Sequence, residues 1–217
     1  MHPPNKNART VGVLLLLQMV FGLMLPFILW RPLMGGYPSF LTAAAASSMQ
    51  IRIGVFLSFI ASALLISLSV YFWSIIRQYS PGLATGSLIV CGISCAIDAI
   101  QNAAVMSMLS VSRDYVANGV HADAAGYLVA IVRRWVHYTQ LFGFGAWIFI
   151  FYFALFRYSL VPRVLSVLGL ICILAQFTGV TLMGFLNLPN LIVLAMPLAP
   201  IHAINGIWLI AKGTRRN

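Results

Sequence analysis

Six stretches of almost continuous apolar residues, divided by short polar stretches, dominate the pattern of this chain. Each is close to or above the ~20 residues with which an α-helix crosses the ~30 Å hydrocarbon core of a bilayer. None shows the alternation of apolar and polar residues that marks a membrane β-strand. The pattern therefore predicts an all-α, polytopic membrane protein, a six-transmembrane-helix bundle in a single domain over residues 1–217. The helices are predicted at residues 12–30, 53–76, 83–111, 136–156, 164–187 and 191–211.

Two connections in this pattern, residues 31–52 and 112–135, are longer than a tight turn. The second has helical character from Ala122 onward. We therefore expect the fourth helix to begin before the membrane and to project outward or to lie along the interface. The polar residues of this connection are interpreted as a solvated loop rather than a weak ion site; they are Asp114, His121 and Asp123.

Composition agrees with a membrane protein and excludes a soluble domain. The chain is 61% hydrophobic and 7% charged, with a mean hydropathy of +0.97, whereas a soluble domain carries about 25% charged residues. The net charge of +10 does not indicate nucleic acid, because the basic residues stand mostly singly between the apolar runs, where helix ends meet lipid headgroups. The expected partner is the lipid bilayer.

The basic residues also predict an orientation. With the N-terminus inside, eight basic residues fall on the inner side and five on the outer side, and such a bias marks the cytoplasmic face. We therefore expect an integral protein of the inner (cytoplasmic) membrane with both termini in the cytoplasm. The inner set is Lys6, Arg9, Arg77, Arg157, Arg163, Lys212, Arg215 and Arg216, and the outer set is Arg31, Arg52, Arg113, Arg133 and Arg134.

Polar residues on the third predicted helix share one face. Cys91, Cys95, Asp98 and Asn102 are spaced by four, three and four residues, which places them in one stripe of an α-helix. An ionised side chain at the centre of a bilayer costs about 2.5–3.5 kcal/mol on insertion scales, so such residues face the bundle interior. Asp98 is accordingly the candidate centre of a buried polar site.

The fourth predicted helix carries a matching stripe. Arg133, His137 and Gln140 are spaced by four and three residues, with Arg134 beside them. In antiparallel neighbouring helices this stripe comes within reach of Asp98. Two interpretations stay open: Asp98 pairs with His137 or with an arginine, or it is protonated and neutral.

The sixth predicted helix adds polar groups near the middle of the membrane. Pro197 and Pro200 should kink it and free backbone carbonyls, and His202 and Asn205 follow at helical spacing. The candidate ligand-binding residues are therefore Asp98, Asn102, Arg133, Arg134, His137, Gln140, His202 and Asn205. The serines of the second helix are interpreted as small residues for close packing; they are Ser58, Ser62 and Ser67.

Two ends of the chain carry a family resemblance. The opening "ARTVGVLLLLQMVFG" places a basic residue and a glycine ahead of the first helix, and the ending "LAPIHAINGIWLIAKG" combines a proline, a polar residue, a tryptophan and a Lys-Gly stop. With the six-helix length, this resembles the bacterial family catalogued as domain of unknown function 4386. The resemblance implies a small multi-pass inner-membrane protein over nearly the whole chain, and it implies no activity. His202 stands near where that family often has an acidic residue.

The favoured function is binding or translocation of a small ligand or ion through an interior polar cluster on the third, fourth and sixth helices. The main alternative is a structural or partner-binding membrane protein in which the cluster is interhelical glue, worth about 0.6 kcal/mol per hydrogen bond. A haem- or metal-binding redox protein and an intramembrane enzyme rank lower, since no catalytic motif, phosphate-binding loop or zinc spacing occurs. We expect neither a cofactor nor a metal site. A homo-oligomer stays open.

Overall fold

Helices make up every regular element in the part of the chain that the structure describes. The computed structural model describes residues 6–118, 123–186, 188 and 191–214. In a bilayer the backbone must satisfy its own hydrogen bonds, and a continuous helix does so. The α-helices are α1 (Lys6–Met24), α2 (Phe40–Ala46), α3 (Ser48–Ile76), α4 (Pro81–Asn118), α5 (Asp123–Arg157), α6 (Arg163–Phe185) and α7 (Leu198–Lys212).

Five of the helices in these described segments are long and apolar enough to cross a membrane. They have 23 to 38 residues; the first continues through a π-helical turn and the fourth is counted from Ala124. They are Lys6–Leu29, Ser48–Ile76, Pro81–Asn118, Ala124–Arg157 and Arg163–Phe185. The sixth predicted segment is interrupted: a 3-10 turn (Leu191–Leu194) precedes α7, which has 15 residues.

Proline explains that interruption. Pro197 is the N-cap of α7, and Pro200 lies in its first turn, where the missing N–H has no intrahelical acceptor. The two prolines were expected to kink a continuous helix, and instead they begin a shorter one. At the other end, Gly213 adopts a φ of +69° and stops α7.

A π-helical turn at Leu25–Leu29 follows α1. Pro26 cannot donate a backbone hydrogen bond, so the regular ladder is broken at this point. The Gln50 side chain donates to the carbonyl oxygens of Ile28 and Leu29, at 2.8 and 3.3 Å. An amide from α3 thus supplies the hydrogen bonds that the widened turn lacks.

The chain divides into two compact units. The first unit comprises Met1–Met19, Ala63–Cys95 and Leu141–Asn217, and the second comprises Val20–Ser62 and Ala96–Gln140. Each of α1, α3, α4 and α5 therefore contributes one part to each unit. The two units have separate apolar cores.

In the first unit, aromatic rings and glycines set the packing. Phe151 lies 4.8 Å from Phe72 and 5.5 Å from Trp147, measured between ring centroids. At the contact between α1 and α7, a Cβ on Gly12 would come within 2.6 Å of the Gly206 carbonyl oxygen. The backbones of these two helices approach so closely that only glycine fits at Gly12.

The second unit is built around Trp30, Phe40 and Met108, all of which are buried. α4 continues to Asn118, beyond the predicted end at residue 111, whereas α5 begins at Asp123, as expected from the helical character after Ala122. Much of the predicted 112–135 connection is therefore helical, and α5 runs unbroken into the fourth apolar run. His121 lies outside the described residues.

Candidate functional site

Asp98 lies on α4 in the second unit, and its carboxylate is bound by three side chains. Ser58 Oγ and Ser62 Oγ, one turn apart on α3, donate to Oδ2 at 2.9 and 2.7 Å. Gln140 Nε2, from α5, donates to Oδ1. The residue is only 3% exposed, so these donors replace the water that would otherwise solvate the carboxylate.

His137 joins this arrangement through Gln140. The imidazole Nδ1 lies 3.2 Å from Gln140 Oε1. Because the amide nitrogen of Gln140 already donates to Asp98, its oxygen must accept, and the proton between the two groups belongs to Nδ1 of His137. One glutamine thus links the carboxylate to the imidazole, and Asp98 and His137 do not need to touch.

Beyond this contact lie buried polar groups that lack partners. Gln101 and Asn102 are 0% and 2% exposed, and neither the oxygen nor the nitrogen of either amide has a hydrogen-bond partner among the described residues. Arg133 is 7% exposed, and its Nε and Nη2 atoms are likewise without a partner there. Buried polar groups are normally satisfied, so each of these needs an explanation.

The unpartnered groups stand at similar levels on α4 and α5. Only residues 119–122 separate α4 from α5, so the two helices run antiparallel from the Asp98–Gln140 contact. Asn102 on α4 and His137 on α5 both lie about one turn from that contact, toward the 119–122 connection. Arg133 lies one further turn along α5 toward the same connection. We call Asp98, Gln101, Asn102, Arg133, His137 and Gln140 the polar cluster.

The remaining predicted residues lie elsewhere. Arg134 is exposed. His202 and Asn205 belong to the first unit, where His202 Nδ1 lies 3.0 Å from the Tyr152 hydroxyl and 3.1 Å from the Leu198 carbonyl oxygen. A carbonyl oxygen only accepts, so a hydrogen bond to Leu198 requires the proton on Nδ1, whereas the Tyr152 hydroxyl can donate to Nδ1 or accept from it.

The roles of Ser58, Ser62 and Tyr152 did not emerge from the sequence. The two serines were assigned to close packing, although their spacing of four residues places both on one face of α3, where two hydroxyls can reach one carboxylate. Tyr152 lies in an aromatic run, "IFIFYFALF", in which no pattern distinguishes it from the phenylalanines.

Among the described residues, no three His, Cys, Asp or Glu side chains come together to hold a metal ion. An open groove of the second unit is lined by ten residues, including Arg31, Ser39 and Gln50, and none of the predicted site residues lines it. The groove lies beside the π-helical turn, and its Gln50 amide already bonds to that turn.

The long apolar helices and the buried polar cluster define a class, the multi-pass α-helical membrane proteins. A family model matches residues 10–213, and the chain belongs to that family, described as domain of unknown function (DUF4386). Neither the curated proteins nor the solved structures yield a match. The family membership confirms the resemblance drawn from the two ends of the chain.

Proposed function

We propose that this protein is a bacterial inner-membrane protein that binds or translocates a small ligand or ion through the polar cluster. The observation that carries the proposal is the set of buried, unpartnered hydrogen-bonding atoms on Gln101, Asn102 and Arg133. Leaving a buried polar group unsatisfied costs about 1–3 kcal/mol, and more for a charged group. A ligand that supplies these hydrogen bonds recovers that cost, which gives it affinity for the site.

Asp98 has a supporting role in this proposal. Its carboxylate accepts three hydrogen bonds, and its partner Gln140 fixes the His137 ring. The network therefore holds α3, α4 and α5 in register beside the groups that contact the ligand. Preorganised groups of this kind bind a ligand with less loss of conformational entropy.

The proposed membrane topology has six spans with both termini in the cytoplasm. The sixth is α7, whose 15 residues reach only about 22 Å at 1.5 Å per residue. The Leu191–Leu194 turn and the residues around Pro197 extend it. An even number of spans agrees with the excess of basic residues on the side of both termini.

Ligand-induced stabilisation tests the proposal. The purified protein in a phosphate-free detergent buffer is heated with a panel of sodium, tetramethylammonium, acetate and inorganic phosphate ions, glycerol and an uncharged amide. At least one solute of the panel should raise the midpoint temperature of unfolding and reach a plateau as its concentration increases. The Asn102→Leu variant should lose this increase. Gln18→Leu is the matched control, because Gln18 also has an unpartnered buried oxygen but lies in the first unit.

A second candidate, a structural or partner-binding protein, is favoured by the three hydrogen bonds that the Asp98 carboxylate accepts from α3 and α5. In that function the cluster binds nothing small. No member of the panel would then stabilise the wild type, and Asn102→Leu would raise the unfolding midpoint by removing a buried unsatisfied amide. That pair of results would overturn ligand binding in favour of the structural role.

A further inference from the structure

We infer that the ligand of the polar cluster carries an anionic group, a carboxylate or a phosphate, and that the Arg133 guanidinium binds it. The inference rests on the proposed function and specifies its ligand class. Its starting point is a difference between the buried acidic and basic side chains of the second unit. Asp98 accepts three hydrogen bonds, whereas Arg133 has two nitrogens with no acceptor among the described residues.

The acidic side chains that the structure describes in this unit do not bond to Arg133. The structure describes two acidic side chains there. Asp98 accepts its hydrogen bonds from two serines and a glutamine, and Asp114 is exposed on α4. A guanidinium cannot lose its proton in a protein, so the buried Nε and Nη2 atoms of Arg133 need an acceptor that the described residues do not supply.

The geometry of the guanidinium indicates the kind of anion. The unpartnered atoms, Nε and Nη2, lie on the same edge of the planar group and donate in nearly parallel directions. Two oxygens on one carbon or one phosphorus match that edge with two parallel hydrogen bonds. A carboxylate or phosphate fits it better than a monatomic anion such as chloride.

The amides add directional contacts for the rest of the ligand. Asn102 and Gln101 each offer an NH₂ donor and a carbonyl acceptor, all unpartnered in the described structure. Their acceptors cannot bind an anion, but they can bind hydroxyl or N–H groups. The cluster therefore fits an anion that also bears a polar hydrogen.

The position of Arg133 along α5 indicates two sources for the anion. Arg133 stands three residues before the fourth predicted apolar run, residues 136–156. A basic residue at the edge of an apolar run lies where the helix meets the lipid headgroups. There its guanidinium is within reach of a lipid phosphate or a free solute anion.

The test compares two neighbouring arginines. Wild type, Arg133→Gln and Arg134→Gln are titrated with sodium acetate, sodium lactate and inorganic phosphate at constant ionic strength, and thermal unfolding of the full-length protein in detergent is followed. Wild type and Arg134→Gln should be stabilised saturably, because Arg134 is exposed. Arg133→Gln should bind about 10- to 100-fold more weakly, the loss expected for hydrogen bonds to a charged group.

A second arm identifies the source. Each protein is placed in nanodiscs of neutral phosphatidylcholine, with or without phosphatidylglycerol, and bound lipid is measured by native mass spectrometry. Phosphatidylglycerol retained by wild type and Arg134→Gln, and lost by Arg133→Gln, supports the inference with a lipid as the source. A response to the free anions alone supports it with a solute as the source.

Equal responses of wild type and Arg133→Gln in both arms would overturn the inference. If sodium or tetramethylammonium stabilises the wild type and Asn102→Leu removes that effect, the proposed function stands and the anionic class is wrong. If no probe binds, both fail. Should Arg133→Gln not fold, Arg133→Lys decides: it keeps the charge but loses the two-nitrogen edge, so weaker anion binding supports the inference and unchanged binding contradicts it.

Discussion

At the scale of single residues, the polar cluster contains two kinds of buried group. Asp98 is bonded to Ser58, Ser62 and Gln140 in place of water, whereas Nε and Nη2 of Arg133 and the amide of Asn102 have no partner within the described structure. A group with bonded partners holds helices together, and a group without them retains the capacity to bind. The first kind explains packing and the second suggests ligand handling.

The link between Asp98 and Gln140 can be tested by exchanging their functional groups. Gln140→Glu places a second carboxylate against Asp98 and should destabilise the protein, since two adjacent carboxylates cannot both ionise. Adding Asp98→Asn restores an N–H to carboxylate hydrogen bond, so the double variant should be more stable than Gln140→Glu. We expect a coupling of about 1–3 kcal/mol from reversible unfolding in detergent.

The matched control for that cycle is Asp114→Asn, which neutralises an exposed acid on the same helix. It should give a coupling with Gln140→Glu within about 0.5 kcal/mol of zero. An equal rescue by both substitutions would mean that net charge, and not the hydrogen bond, determines the effect.

The sequence predicted part of this residue-level arrangement. The stripes on the third and fourth predicted helices correctly placed Asp98 on the same face as Asn102 and His137 on the same face as Gln140. The serine donors could not be foreseen, because a serine in an apolar helix usually bonds its own backbone, as Ser67 does to the Ala63 carbonyl. Which hydroxyl bonds across to another helix depends on tertiary contacts that periodicity does not encode.

At the scale of helices, apolar run length predicted the existence of the elements better than their ends. The apolar pattern marks only the residues that suit the hydrocarbon core. Both α4 and α5 continue as helices through polar residues beyond the apolar runs: α4 ends at Asn118 and α5 begins at Asp123. In the last apolar run, the prolines divide the chain into a 3-10 turn and α7. Apolarity alone does not reveal where a helix is interrupted.

The close approach of α1 and α7 gives a test at this scale. A methyl group at Gly12 would lie 2.6 Å from the Gly206 carbonyl oxygen, which is backbone and cannot swing away. Gly12→Ala should therefore lower the free energy of unfolding by about 1–3 kcal/mol, as overpacking does. Denaturant titration of the purified protein measures the change.

Gly22→Ala on the same helix is the control, because nothing lies within 4 Å of its added Cβ. It should be neutral or stabilise by up to about 1 kcal/mol through helix propensity. A similar loss for both variants would show that glycine is needed in α1 for some reason other than the α7 contact.

At the scale of the whole molecule, the surface matches a lipid solvent. Large apolar side chains are exposed along several helices, among them Phe56 (65%), Ile171 (57%) and Ile207 (58%), whereas the acidic side chain of Asp98 is buried. A surface of large apolar side chains around a buried acidic group is costly in water and favourable in a bilayer. Composition alone sufficed to predict the class, since 7% charged residues cannot cover a water-facing surface.

The six-span topology can be tested with reporters at both termini. Tags that are fluorescent only in the cytoplasm, placed at the N-terminus and after Asn217, should both be active in intact cells, because six crossings return the chain to its starting side. Tags at the 119–122 connection should be reached from outside by an impermeant reagent. Termini on opposite sides would mean that α7 does not cross and that five helices span.

The three residues that donate hydrogen bonds to Asp98 are synthesised at different times. Ser58 and Ser62 precede Asp98 in the chain by 40 and 36 residues, and Gln140 follows it by 42. During synthesis at about 5–20 residues per second, α3 is complete before Asp98 leaves the ribosome, and Gln140 arrives some seconds later. The helix with the buried charge thus enters the membrane beside two donors already in place, and the third arrives with α5 to complete the carboxylate's shell.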